Sequence, residues 1–501
     1  MHPKNRYRDA RPDFAALARK HAALAPFVYG SSIDFSDAAA LRALTTALLK
    51  EDFGLDVELR EDRLCPTVAN RLDYALLCLD LAGPGPLRAI DIGTGHVAIY
   101  ALLLHRLRPD AHILATELDA GSLAHARATV AANGAGHSVS VIPAPEGRIF
   151  PLTPEAEKEK EGEEKEEAER AETSNYAFTM CNPPFFASPG EVLASRALKG
   201  PAPGAPTAAV NEEVTRGGEE AFVGAMVAES VALGQVRWFT SLVGRYENLH
   251  ALVRLVRGVT DNYYVVSLRQ AQTARWVLIW GFGKERLPDS MTRPALLDPT
   301  TSFARLLPPP NTFTLKPDPP RPRDEIVREV RHALRECGLW PVGARVDETG
   351  EEAPDADDKP AKSPPSPDTD RSTDAPTKDD ATSNPETTSA DPERARDPDP
   401  GPDDMYIPLA PTSNTWSRSA RRAAQRVERG GERGGQDDGT DGPTNTDRTP
   451  ASRIPPPLFR ARVRISGGDT AEVALLWDWG GDRAAVEGLW KFVLSKGGVR
   501  L

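Results

Sequence analysis

The sequence predicts an α/β protein: a Rossmann-like, mostly parallel, doubly wound sheet, followed by a small C-terminal α/β domain split by insertions. Three observations predict it. Between Arg88 and Gly134 the apolar runs RAIDI and ILATELD alternate with the helical stretches AIYALLLHRLR and SLAHARATVAANG, in the order of strands joined by crossover helices. VRWFTSLVG, YYVVSLRQ and RWVLIWGF, rich in aromatic and β-branched residues, read as the strands that close the sheet. Residues 348–402 and 430–455 hold few large apolar groups, too few to offset the entropy of ordering the backbone, and are expected to be disordered linkers.

The elements follow in order. Residues 1–34 read as a basic arm, with Lys4, Arg6, Arg8 and Arg11 and an interleaved Tyr7. Leu41, Leu44, Leu48 and Leu49 share one stripe of a helix from about Phe35 to the stop signal Gly54, which opens a domain spanning residues 35–290. A Glu/Lys run from Glu155 to Glu172 has no core face, so residues 152–174 are expected to be a disordered acidic insertion between the strands SVSVIPA and YAFTMC. Further on, Ile326, Val327, Val330, Leu334 and Cys337 share a helical face ending at Gly338. FRARVRI alternates apolar residues with arginine, a turn follows at Gly467 and Gly468, AEVALLWDW supplies a partner strand, and a helix from Arg483 to Ser495 closes the domain. That second domain is assembled from residues 311–347, 403–430 and 456–501.

Composition bounds the function. The net charge of -12 is concentrated in low-complexity acidic runs, while arginines cluster elsewhere, so it does not argue against a polyanionic partner. The four cysteines are far apart and include no CxxC pair, so neither a disulfide framework nor a zinc site is indicated; a reducing compartment and no metal are expected. The start, MHPKNRYRDARPDF, is polar, and no apolar run is long enough to span a bilayer, so the protein is expected to be intracellular and soluble, with no membrane partner.

Two constellations carry chemistry. The first is Asp91-Ile92-Gly93-Thr94-Gly95, between a strand and a helix. Its glycines let the backbone approach a ligand closely, and the helix start presents free N–H groups. It lacks the third glycine of a dinucleotide fingerprint and has the DxGTG form of methyltransferases. About 26 residues on, Glu117 ends the next strand, where a carboxylate can accept both hydroxyls of a ribose; Asp119 is placed to cap the next helix or to approach an adenine ring. The second is Asn182-Pro183-Pro184-Phe185, directly after AFTMC. The carboxamide oxygen and the Pro183 carbonyl can each accept one N–H of a planar exocyclic amine. Holding both hydrogens frees the nitrogen lone pair as positive charge builds on it, without a side chain of tuned pKa. Phe185 can then stack on an unpaired or flipped base.

These residues resemble the N6-adenosine methyltransferases acting on U6 spliceosomal RNA, a methyltransferase-like family related to bacterial ribosomal-RNA adenine methyltransferases. KNRYRDARPDFAALA, RALTTALLKEDFGL, PTVANRLDY, CNPPFFAS, GGEEAFV, RWFTSLVG and QTARW are similar to family blocks in the same order, over about residues 2–285. The resemblance implies a Rossmann-like class I methyltransferase fold and S-adenosyl-L-methionine as cofactor. It implies cofactor contacts at Arg71, which would clasp the methionine carboxylate, and at Asp91, Gly93, Thr94, Gly95, Glu117, Asp119 and Asn182. The catalytic turn would be Asn182, Pro183, Pro184 and Phe185. Two departures stand out: His96-Val97 continues the glycine loop where the family has small polar residues, and the acidic insertion occupies the place of a lysine-containing loop.

The expected substrate is structured RNA, foremost a U6 small nuclear RNA hairpin, held by Lys4, Arg6, Arg8, Arg11, Arg196, Lys199 and Arg275, the last in QTARW. In the C-terminal part Arg418, Arg421, Arg422, Arg426 and Arg429 follow Trp416, and Arg460, Arg462 and Arg464 line one strand face; this part resembles a second RNA-binding domain of the family. The run SRSARR also fits nuclear import, and a nuclear protein with a cytoplasmic pool is expected. The residues leave alternatives open: an NPP turn holds any planar amine or amide, so ribosomal RNA, DNA or a protein glutamine could be the acceptor, and the chain could be an RNA-binding regulator whose catalysis is incidental.

Overall fold

The computed structural model describes residues 1–152, 176–198, 214–270, 273–294, 297–298, 300–340, 404–422, 456–466 and 471–496. The expected insertion beyond Leu152, both expected linkers, Gly467, Gly468, Lys199, Arg426, Arg429 and the side chain of Arg196 lie outside the described residues. The chain divides into two units, Met1–Asn311 and Thr312–Leu501.

In the first unit α1 (Phe14–Lys20) is capped by Asp13, and β1 (Val28–Tyr29) pairs with β2 (Ser32–Ile33). The leucine-striped helix α2 (Ala38–Phe53) starts where the Asp37 carboxylate accepts the N–H groups of Ala39 and Ala40. It ends at Gly54, whose φ of 61° is open to glycine at little steric cost. There follow α3 (Val68–Ala82), β3 (Arg88–Ile92), α4 (Ile99–Leu107), β4 (His112–Glu117), α5 (Ala120–Ala132), β5 (Val139–Pro143), β6 (Tyr176–Cys181), α6 (Pro189–Leu198), α7 (Gly218–Ser230), β7 (Val236–Val243), α8 (Tyr246–Arg257), β8 (Tyr263–Gln270) and β9 (Thr273–Trp280).

Seven strands form one sheet in the order β5-β4-β3-β6-β7-β9-β8. The first five run parallel, while β9 turns back antiparallel between β7 and β8. Alternate residues of β3 feed opposite faces: Ala89 joins a core with α2, α3 and α4, and Ile90 and Ile92 join one with α7 and α8. After β5 the chain returns to pair β6 on the free side of β3, which opens a crevice at the strand tips. Register fixes what meets there. Ile92 is opposite both Thr116 and Cys181, so the residues that follow, Gly93, Glu117 and Asn182, emerge at neighbouring tips.

Residues 1–34 are not a separate arm. Leu17, Leu24 and Ile33 are buried in the same core as the sheet, and Asn5, itself buried, donates from Nδ2 to Asp73 and to the Ala69 carbonyl of α3. The charges masked this in the sequence, because the three apolar anchors are spread too widely to form a periodic stripe.

The second unit consists of β10 (Thr312–Leu315), α9 (Arg323–Glu336), β11 (Met405–Leu409), β12 (Phe459–Ile465), β13 (Val473–Gly480) and α10 (Arg483–Lys496). Its sheet is wholly antiparallel, ordered β10-β13-β12-β11. Ile326, Val330 and Leu334 of α9 and Val486, Leu489 and Val493 of α10 pack on Phe459, Val463, Val473 and Leu475. The short strands β10 and β11 were not anticipated. Each is completed by pairing with a strand distant in sequence, and MYIPL contains a proline that an outer strand tolerates.

Candidate active site

The turn after β3 is stitched to the tip of β4. Thr94 N–H donates to the Thr116 carbonyl at 2.9 Å, and Gly95 N–H donates to Glu117 Oε2 at 2.9 Å. Gly93 and Gly95 have φ of 67° and 74°, and a Cβ on either would point into open space. That space is a cavity of about 530 Å³ lined by Arg71, Gly93, Thr94, Gly95, Glu117 and the turn Asn182–Pro184, among others.

Besides exposed Arg148, this cavity is lined by the half-buried cation Arg71. Its Nη1 donates to the Tyr100 hydroxyl at 2.8 Å, its guanidinium lies 5.2 Å from the centre of that ring, and its buried Nε has no hydrogen-bond partner among the described residues. Among the described residues it forms no ion pair, so a guanidinium with spare donors faces the space where an anionic group would fit.

Two residues expected to touch a cofactor do not line the cavity. Asp91 is fully buried beneath the glycine turn, accepting the Thr94 hydroxyl at 2.6 Å, with Oδ1 unpartnered among the described residues. Burial pushes its carboxyl up to about 7, against the pull of the Thr94 hydroxyl and with a push from Glu117. Its position inside the strand, one residue short of the tip, makes it a support of the turn. Asp119 is committed to structure: it accepts from Ser122 N–H at 2.8 Å as the cap of α5 and pairs with Arg63 at 2.9 Å. Glu117, in contrast, lines the cavity, and its Oε1 also holds Asp119 N–H.

The turn after β6 is anchored from behind. Tyr74 Oη accepts Cys181 N–H at 3.1 Å and shares a hydrogen bond of 2.6 Å with Thr240, whose hydroxyl donates to the Thr179 carbonyl. Its front is open. Asn182 makes no side-chain hydrogen bond among the described residues, and it lines both the large cavity and a second one of about 200 Å³. Phe185 lines the second cavity, with the Arg275 guanidinium 5.7 Å from its ring centre. Arg71 and Asn182 are thus shared between two adjoining spaces, one floored by glycines and one by an aromatic ring.

A family model described as RNA methyltransferase matches residues 1–284. The chain belongs to this RNA methyltransferase family. Among its relatives, RNA N(6)-adenosine-methyltransferase mettl16 of Danio rerio is 36% identical over 295 residues, covering 56% of this chain and 59% of that protein. The U6 small nuclear RNA (adenine-(43)-N(6))-methyltransferase of Caenorhabditis elegans is 34% identical, covering 61% of this chain and 67% of its own. The chain spans about half the length of the vertebrate relatives it matches. A solved structure of the hMettl16 catalytic domain in complex with MAT2A 3'UTR hairpin 6 is 33% identical with a TM-score of 0.49, covering 56% of this chain and 97% of that one.

In this RNA methyltransferase family member the departure at His96 is accommodated by burial. The ring lines the large cavity, its Nε2 accepts Arg60 N–H at 3.4 Å, and burial pushes its pKa down to about 4, so it is neutral near pH 7. Sequence reasoning missed Leu118, 78% exposed on the cavity wall, and Asn70, Asp73 and Gln270 around the second cavity. Leu118 did leave a signal, an apolar residue between two acids at a strand tip.

Three of the seven cations expected to contact RNA have ion-pair partners. Lys4 pairs with Asp80, Arg6 with Asp52 and Arg8 with Asp9, whereas exposed Arg11 has no ion pair among the described residues. Arg275 lines the cavity that holds Phe185, whereas Lys4 and Arg6 line a separate one of about 380 Å³. In the second unit Arg462 is bound bidentately to Asp478, Arg464 pairs with Glu472, and Arg460 lies over Trp479. Trp416 is a core residue donating to the Ala485 carbonyl, and Arg421 pairs with Glu336. Arg418 and Arg422 are exposed. Among the described residues no cluster of His, Cys, Asp or Glu could hold a metal, and no helix is long and apolar enough to cross a membrane.

Proposed function

We propose that this chain transfers a methyl group from S-adenosyl-L-methionine to N6 of an unpaired adenosine in structured RNA, foremost U6 small nuclear RNA. One observation carries the reading: Asn182, whose carboxamide makes no hydrogen bond among the described residues, stands where the glycine-floored cavity meets the cavity holding Phe185. The relatives named as adenosine-N6 methyltransferases support the choice of acceptor.

The residues present fit the cofactor. Orphaned Arg71 would take its carboxylate, Glu117 its ribose hydroxyls, and Leu118 offers an apolar surface for its adenine, while Gly93 and Gly95 leave room for its backbone-facing edge. Bound there, it supplies an electrophilic methyl group. The chain does the rest. Phe185 provides the shelf for the base, and the Asn182 side chain and the Pro183 carbonyl accept the two amine hydrogens, so the nitrogen lone pair is directed at the neighbouring cavity. No side chain of the turn removes a proton; the nitrogen loses its extra one to water after transfer.

The test offers purified full-length chain and labelled S-adenosyl-L-methionine to a U6 hairpin with an ACAGA-type loop, in competition with ribosomal RNA, single-stranded DNA and a glutamine peptide. Label on the loop adenosine is the expected result. Label on the peptide alone would overturn both the acceptor and the stacking role of Phe185. A nuclear site of action, with a cytoplasmic pool, goes with this reading and with exposed Arg418 and Arg422; imaging a tagged chain with both replaced by alanine tests it. RNA contact by the second unit likewise rests on these two cations, since the arginines of β12 are paired.

A further inference from the structure

Phe185 is held by two residues outside the NPPF turn. Gly244 follows β7, and a Cβ there would come within 2.8 Å of ring carbons Cδ1 and Cε1 of Phe185 and within 3.3 Å of Glu219 Oε1. Real Cβ atoms essentially never approach so closely, so the Phe185 ring, whose open side faces the second cavity, would have to shift. The turn at Gly244 is itself fixed by Glu219. This carboxylate is 1% exposed and accepts Gly244 N–H, Arg245 N–H at 3.3 Å and Asn248 Nδ2–H at 2.7 Å. Helix α8 has no side-chain cap of its own, so Glu219, reaching over from α7, satisfies donors at its start.

The segment carrying Glu219 also touches the far end of the catalytic turn. Gly217 and Gly218 have φ of 80° and 67°, and a Cβ on Gly218 would meet Ala187 N at 3.2 Å and the Phe186 carbonyl carbon at 3.5 Å. Thr215 N–H donates to the Phe186 carbonyl at 2.9 Å. One short stretch therefore braces the turn at Phe186–Ala187 and, through Glu219, the glycine on which Phe185 rests.

We infer that Glu219 is a positioning residue and Gly244 a specificity-determining one: together they set the depth of the acceptor slot by fixing the plane of the Phe185 ring. A methyl group at Gly244 would drive the ring toward the space reserved for the base, narrowing the slot for a purine while leaving the cofactor cavity untouched. Loss of the Glu219 carboxylate would release the Gly244–Arg245 turn with the same consequence. The inference rests on Phe185 being the base shelf.

The test compares Gly244→Ala, Glu219→Ala, Glu219→Gln and Phe185→Leu in the full chain, with an RNA hairpin bearing an unpaired loop adenosine. Gly244→Ala and Glu219→Ala should lower kcat by about tenfold or more while S-adenosyl-L-methionine affinity stays within about twofold, and Glu219→Gln, which keeps one acceptor oxygen for Gly244 N–H, should recover part of the loss. In the Phe185→Leu background, whose smaller side chain leaves room, Gly244→Ala should have about twofold effect or less. Additive losses would overturn the inference, as would full activity of Gly244→Ala. If Gly244→Ala alone fails to fold, Phe185→Leu must restore folding and cofactor binding, and failure to do so also overturns it. Full activity of Phe185→Leu would instead sink the base-shelf reading.

Discussion

The strand tips of the first unit and the arginine-bearing strand of the second both present rows of polar side chains, yet they use them in opposite ways. At the tips, Asn182 and Arg71 keep donors and acceptors that no described residue satisfies, and both face cavities. On β12, Arg462 and Arg464 are matched by Asp478 of β13 and by Glu472, which directly precedes that strand. Charge alone does not mark a binding surface. What marks it is valence that the fold leaves unfilled and holds in place, because a partnered arginine must break one interaction before making another.

The sharpest way to break this comparison is Asn182→Ala. If the carboxamide is reserved for the amine, its removal deletes one of two acceptors made for the transition state, and kcat should fall by about 100- to 1,000-fold, or roughly 3–4 kcal/mol. Cofactor affinity, measured by calorimetry, should change by less than about threefold. Single-turnover methylation at saturating RNA reads the effect directly, and a wild-type rate would remove Asn182 from the chemistry.

Arg71→Met comes next. It keeps the apolar stem and removes the spare donors, so S-adenosyl-L-methionine should bind about 10- to 100-fold more weakly, the loss of a charged hydrogen bond worth about 1.5–3 kcal/mol. A cofactor analogue lacking the carboxylate should bind both proteins equally. Equal loss for both ligands would assign Arg71 to packing on Tyr100.

How much of this was legible in the sequence follows the same division. DIGTG and NPPF announce themselves because their chemistry depends on consecutive residues at strand ends, and the alternation of strand and helix places them on one edge of a parallel sheet. Partnership is a long-range property. Nothing in FRARVRI shows that Asp478 will lie opposite Arg462, and nothing in KNRYRDAR shows that Asp52 and Asp80 will take up Arg6 and Lys4. Asp91 and Asp119 look like ligands in sequence because spacing cannot tell a strand interior or a helix cap from a cavity wall.

Asp91 sharpens the comparison from the other side, as an unfilled group that faces no cavity. Its folded carboxyl is raised to about 7 from an ordinary value of 3.8, so the native state holds the proton more tightly than the unfolded chain. Wild-type stability is therefore drained as pH rises from about 4 to about 7, and the deficit is constant above that. Asp91→Asn, which keeps an acceptor for Thr94, escapes this drain. Relative to wild type without ligand, its Tm should climb by about 5 °C between pH 4.5 and 7.5, on the order of 2 kcal/mol once buried-charge relaxation is allowed for. A difference in Tm that does not vary with pH would show that Asp91 is ionised in the fold.

The smallest expected effect tests the paired end of the comparison. Arg462 is about one fifth exposed and Asp478 about one third, so their bidentate contact is screened by water, and Arg462→Ala should lower the stability of the second unit by only about 0.5–1 kcal/mol. Its value lies in what should not move. A cation that contacts phosphate releases a counterion on binding, and its removal lowers the slope of log affinity against log salt by about one. Since Arg462 already has a carboxylate, the full chain carrying Arg462→Ala should bind a U6 hairpin with unchanged slope and within about twofold of wild-type affinity. Replacing exposed Arg418 and Arg422 should reduce the slope if the second unit holds RNA. A drop in slope for Arg462→Ala would mean that RNA displaces Asp478, and the arginine face of β12 would then be a binding surface despite its pairing.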